Sequence, residues 1–127
     1  MQVDDTRPIW IQLVDTFRHR IVSGHWSPGS KIPSVRELAS GAGVNPNTVQ
    51  RALAELDRTG LTSAERTAGR FVTADAAVLD AVRRELAIGA TDAYVVALTG
   101  LGMSLDGATR LLAERWTDQP VTGETQS

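Results

Sequence analysis

The 127-residue chain has no cysteine, which excludes disulfides, thiolate nucleophiles and Cys-ligated zinc or iron–sulfur centres. Histidine is scarce. His19 and His25 are not surrounded by carboxylates at ligand spacing, so no metal and no other cofactor is expected. Lys31 is the sole lysine, leaving little scope for Schiff-base chemistry. Long apolar runs are also missing. No uncharged stretch is longer than Ala93–Leu105, which is broken by Gly100 and Gly102 and falls short of the ~18 residues of a membrane span. No basic start followed by an apolar run marks a signal peptide. These absences point to a cytoplasmic protein with no membrane partner, and the length to one domain or a small domain with an appendage rather than an enzyme.

Positive charge is in short supply as well, the formal net charge being -2. Nucleic-acid binding requires concentrated Lys and Arg, so the total argues against it. The distribution reverses that reading: residues 7–70 carry nine basic against five acidic side chains, and residues 71–127 carry four basic against eight acidic. A basic segment and an acidic segment imply different tasks.

Local signals divide the chain further. Trp10, Leu13, Val14, Phe17 and Ile21 form one apolar helical stripe, with Thr6 as its cap and Gly24 as its stop. Ser34 followed by Glu37 is a capping-box signature that starts a second helix at Val35, ending near Gly41 or Gly43. Asn45-Pro46 starts a third helix running to about Thr59. This helix turns Val49, Ala52, Leu53 and Leu56 inward and Asn47, Arg51 and Arg58 outward. Leu61–Glu65 and Arg70–Thr73 read as strands of a hairpin around Gly69. Beyond Asp75 three helices are predicted: one burying Val78, Leu79, Val82 and Leu86 and ended by Gly89, one capped by Thr91 and burying Tyr94 and Leu98, and one from Ser104 burying Leu105, Ala108, Leu111, Leu112 and Trp116. The polar residues 118–127 read as a disordered tail.

Three helices and a hairpin, the second and third helices joined by a tight Gly-Ala-Gly-Val turn, form a winged helix-turn-helix. The fold class is mainly α with a small β-hairpin wing, comprising residues 1–74, followed by a helical segment over 75–117. In such a motif the third helix enters the major groove by its N-terminal end. Asn and Gln there can pair with adenine, Arg with guanine or phosphate, and Thr with phosphate or a thymine methyl.

Several fixed spacings make the pattern specific: Pro8-Ile9 with Gln12, Gly24 with Pro28-Gly29, Ile32-Pro33-Ser34-x-Arg36-x-Leu38-Ala39, Val44-Asn45-Pro46-Asn47-Thr48-Val49, and Leu56 with Gly60. Over residues 7–74 the chain resembles the DNA-binding domain of the GntR family of bacterial transcriptional regulators. The resemblance implies DNA contact by Arg36, by Asn45, Asn47, Thr48, Gln50 and Arg51 on the recognition helix, and by Arg66 at the opening of the wing. Ser34 stands at a helix start whose free N–H groups suit a phosphate. In the wing the chain departs from the family pattern Arg-Gly-x-Gly-Thr-Phe-Val, reading Arg66-Thr67-Ala68-Gly69-Arg70-Phe71-Val72. Thr67 in place of glycine hinders close backbone approach, and Arg70 adds a charge able to compensate.

The C-terminal segment lacks the histidines and the length of the larger sensor domains in this family. Its apolar stripes cannot be hidden by two or three helices alone, so Val78, Leu79, Val82, Leu86, Tyr94, Leu98, Leu111, Leu112 and Trp116 are expected to pair with a second copy. This layout resembles the YtrA-like GntR subfamily and implies a homodimeric repressor on palindromic double-stranded operator DNA. No constellation marks a small-molecule effector, although a site between dimer halves is open. Two other classes compete. A winged helix serving protein association would expose an apolar patch where Asn47, Thr48, Gln50 and Arg51 stand. An enzymatic fragment of an aminotransferase-fused relative has no room for its cofactor domain.

Overall fold

The computed structural model describes residues 6–118. They fall into two compact units that divide between Arg83 and Arg84. The first unit contains α1 (Ile9–Val22), α2 (Val35–Ala42), α3 (Pro46–Arg58), β1 (Thr62–Glu65), β2 (Gly69–Val72) and the first turns of α4 (Ala76–Gly100).

Helix α1 does not use Thr6 as its cap. Pro8 occupies that position and offers no side-chain oxygen, because the extended Pro8 backbone places its carbonyl to accept from Ile11 and Gln12 N–H at 3.2 and 3.3 Å. The buried Gln12 amide donates to the Arg7 carbonyl at 2.8 Å and ties down the chain entering the helix. The other two starts follow their local signals. Ser34 Oγ accepts from Glu37 N–H at 3.1 Å while Glu37 Oε1 accepts from Ser34 N–H at 2.9 Å, a complete capping box. Asn45 Oδ1 accepts from Asn47 N–H at 2.7 Å, with Pro46 in the first turn. Between them Gly43 takes φ +68, a left-handed conformation that closes α2 at little cost only for glycine.

Phe17, Leu13, Ile21, Leu53, Leu56, Leu61 and Val49 are the largest fully buried side chains. Each contributes about 1.5–3 kcal/mol by leaving water. Trp26 packs on Phe17 with ring centroids 5.3 Å apart. Strands β1 and β2 pair antiparallel from Thr62↔Val72 to Glu65↔Gly69, within one residue of the predicted strands. The other edge of β2 is also occupied: Arg70 O accepts from Ile32 N–H at 3.0 Å and Ser30 O from Val72 N–H at 2.9 Å. The loop before α2 thus braces the hairpin.

Two expectations fail in the C-terminal half. Gly89 does not end a helix, and α4 runs unbroken from Ala76 to Gly100. An interior glycine costs only about 1 kcal/mol relative to alanine, and its neighbours Ala87, Ile88 and Ala90 sustain the helix. Thr91 is accordingly no cap; its hydroxyl donates to the Ala87 carbonyl at 2.8 Å within the same helix. The second correction concerns what the first stripe of α4 covers. Leu79 is buried in the core of the first unit, with Val78 and Val82 partly buried against it, so Leu79 is covered within its own chain and the two valines are covered there in part.

The second unit holds the remainder of α4 and α5 (Leu105–Asp118). Ser104 Oγ accepts from Gly107 N–H at 3.1 Å at the start of α5, and Tyr94 OH donates to the Ala108 carbonyl at 2.9 Å, linking the two helices. Tyr94, Leu98 and Leu86 are half-buried, whereas Leu111, Leu112 and Trp116 are exposed. Helix α5 includes Asp118; the rest of the expected tail, 119–127, lies outside the described residues.

Candidate nucleic-acid interface

Burial of Val49, Ala52, Leu53 and Leu56 fixes the rotation of α3. Asn47, Gln50 and Arg51 are consequently exposed, and Thr48 is half-buried. The Asn45 side-chain oxygen is spent on its cap, as is that of Ser34. Both residues still lie at helix starts, where backbone N–H groups and the helix dipole favour an anion.

Ion pairing sorts the cations of the first unit. Arg58 is held by Glu55 through Nε at 2.9 Å. Arg7 is held by Asp15 at 2.9 Å, and Arg83 by Asp80 at 2.6 Å. Arg20 lies over the Phe17 and Trp26 rings. Among the described residues of the first unit, Arg20 in α1 and Lys31, Arg36, Arg51 and Arg66 form no ion pair with a carboxylate, and Arg20 is only half exposed against its rings. Lys31, Arg36, Arg51 and Arg66 are exposed. Lys31, Arg36 and Arg51 belong to the loop before α2, to α2 and to α3, and Arg66 opens the hairpin turn, so the exposed uncompensated charge coincides with the helix-turn-helix and its wing.

Arg70 stands apart from this set. Its Nε and Nη2 donate to Asp57 Oδ1 and Oδ2 at 3.0 and 2.9 Å, and Thr62 Oγ1 donates to the same carboxylate at 2.6 Å. The side chain expected to supply extra charge to the wing is thus engaged within the protein, joining β2 and β1 to the last turn of α3. Thr67 keeps an ordinary backbone, since positive φ among the described residues occurs only at glycines. Gly69, at φ +110, makes the turn, and a Cβ there would meet Lys31 Cε at 2.6 Å. The Lys31 side chain therefore reaches the turn end of the wing.

These residues surround a cavity of about 810 Å³ lined by Lys31, Ser34, Glu37, Arg66, Thr67 and Arg70. Glu37 and Glu65 are its acidic members; hydrogen bonds from the Ser34 backbone and side chain, and then Lys31 nearby, hold the Glu37 pKa below the ordinary value. Glu55 is lowered and Arg58 raised by their mutual hydrogen bonding.

Three relations here escaped sequence reasoning: the place of Lys31, the pairing of Asp57 with Arg70, and the support of Arg51 by Trp10. Lys31 has no local signature; Asp57 and Arg70 are separated by 13 residues and belong to different elements; and Trp10 supports Arg51, its ring centroid lying 4.2 Å from the guanidinium carbon. Among the described residues no His, Cys, Asp and Glu group could hold a metal ion, and no helix is long and apolar enough to cross a membrane.

Comparison with known proteins matches this geometry. The family described as "Bacterial regulatory proteins, gntR family" matches residues 11–72. The chain is 34% identical over 103 residues to the uncharacterized HTH-type transcriptional regulator YhcF of Bacillus subtilis, covering 81% of this chain and 85% of that protein. It is 37% identical over 78 residues to the HTH-type transcriptional repressor YtrA of the same organism, covering 60% of each. A GntR family transcriptional regulator from Listeria monocytogenes superposes with a TM-score of 0.76 at 32% identity, covering 88% of this chain and 98% of that one. The DNA-binding domain of AraR, solved in complex with operator ORX1, superposes with a TM-score of 0.52 at 27% identity over 57% of this chain and 89% of that one. A winged helix-turn-helix with an exposed polar recognition helix, matched by relatives over most of their length, shows that the chain belongs to the gntR family of bacterial DNA-binding transcriptional regulators.

Proposed function

We propose that the protein is a dimeric repressor that binds a palindromic operator in the cytoplasm. Asn47, Thr48, Gln50 and Arg51 enter the major groove, with Asn45 at the helix start, while Arg36, Lys31 and Arg66 hold phosphates and the Ser34 helix start adds N–H donors. The observation that carries this reading is that Lys31, Arg36, Arg51 and Arg66, all exposed and without a carboxylate partner, belong to the helix-turn-helix and wing. Arg70, bound to Asp57, is left out of the contact set, and Thr67 serves through its place in the turn.

The repressor role is supported by the likeness to YtrA, and the operator by the likeness to the AraR domain. Dimerisation is supported by the apolar surface of the second unit, where Leu105 is 84% and Trp116 74% exposed. Several large apolar side chains exposed on so short a unit favour an association surface. Leu86, Tyr94, Leu98, Leu111, Leu112 and Trp116 remain the proposed pairing residues. A two-fold axis would set two recognition helices on half-sites a whole number of turns apart.

The test is a duplex selected from a random-sequence pool by the wild-type protein. Its affinity should fall with salt, each neutralised phosphate adding about -0.9 to the log–log slope. Arg36→Ala and Arg66→Ala should each flatten that slope by about one such step. Slopes unchanged in both variants would refute the assignment, and a monomer in sedimentation at micromolar concentration would refute the dimer.

A further inference from the structure

The contact between Trp10 and Arg51 joins α1 to the DNA-facing side of α3. Trp10 is half-buried against the core, so its ring is held, whereas Arg51 is exposed. The carboxylate one turn further along α3 is Glu55, which is engaged by Arg58. The indole face, 4.2 Å from the guanidinium carbon, is what remains for Arg51 to rest on. A guanidinium held over an aromatic face is attracted there without spending its N–H donors on a carboxylate. That planar fork is what bidentate recognition of guanine O6 and N7 requires.

We propose that Trp10 is a positioning residue for base readout: a platform that holds the Arg51 fork in place before DNA arrives. The inference rests on Arg51 contacting DNA. Trp10 touches no base in this scheme and acts through Arg51 alone. Its contribution is the rotamer freedom that Arg51 no longer has to lose on binding.

The experiment uses the full chain and the selected duplex, together with duplexes in which each G·C pair is replaced in turn. Trp10→Leu should weaken binding about two- to fivefold and reduce discrimination at the guanine whose replacement Arg51→Ala no longer senses. In the Arg51→Ala background, Trp10→Leu should cost nothing further. Trp10→Tyr and Trp10→Phe keep the slot filled, and discrimination should fall in the order Trp, Tyr, Phe even if the leucine variant does not fold. An equal loss in both backgrounds would make Trp10 merely structural and overturn the proposal. Discrimination unchanged across Trp10, Tyr and Phe would overturn it too. If Arg51→Ala alone leaves every affinity unaltered, the underlying assignment of Arg51 falls, a result distinguishable from failure of the platform.

Discussion

Removing Asp57 should release the wing from the recognition helix. Asp57→Ala takes away the acceptor of the Thr62 hydroxyl, in a residue only 3% exposed, and both acceptors of the Arg70 guanidinium, whose side chain is 19% exposed. A buried hydroxyl left without its partner costs about 1–3 kcal/mol. The partly buried Arg70 keeps some access to water, so the loss of its partner adds about 1 kcal/mol. The expected destabilisation is about 2–4 kcal/mol for Asp57→Ala. Arg70→Thr, which restores the family residue and leaves the Thr62 bond intact, should cost about 1 kcal/mol. Urea unfolding followed by circular dichroism measures both, and a double-mutant cycle isolates the coupling. If Asp57→Ala costs less than about 0.5 kcal/mol, or if the cycle shows no coupling, the clamp does not exist as an energetic unit.

Other outcomes follow from single residues. The lowered pKa of Glu37 means that its contribution to folding is complete above the ordinary glutamate value of about 4.3 and disappears as pH falls through the lower folded-state value. Glu37→Gln should therefore flatten the acid limb of a stability-against-pH curve; an unchanged limb would refute the capping role. Gly89 lies exposed inside α4, with nothing within 4 Å of where a Cβ would stand, so Gly89→Ala should stabilise by about 0.5–1 kcal/mol, seen as a higher thermal midpoint.

Legibility in the sequence followed the range of the interaction. Ser34, Glu37, Asn45 and Pro46 could be placed because a cap is made by residues two or three apart, and the buried stripe of α3 then fixed which of its side chains face outward. Gly89 misled because a helix-stopping residue acts only when its neighbours have no reason to continue, and alanines on either side did. Val78, Leu79 and Val82 were recognisable as a stripe that must be covered, but periodicity does not say by what; the first unit's own core covers Leu79 and, in part, the two valines. The Asp57–Arg70 clamp and the Trp10–Arg51 stack join distant elements through tertiary packing, which no local spacing encodes.

The pairing of Arg58 with Glu55 and of Arg70 with Asp57 has a kinetic consequence. Along α3 these pairs cancel charge toward the C-terminal end, while Arg51 and the positive pole of the helix dipole remain toward the other. A polyanion diffusing toward the protein thus meets a potential gradient along the helix itself. Encounters led by the neutralised end gain little attraction, and those led by the nose are drawn in. In the proposed binding mode the helix would be oriented by its field before any base is touched, so the ion pairs that brace the fold would also raise the fraction of collisions that begin in the productive pose.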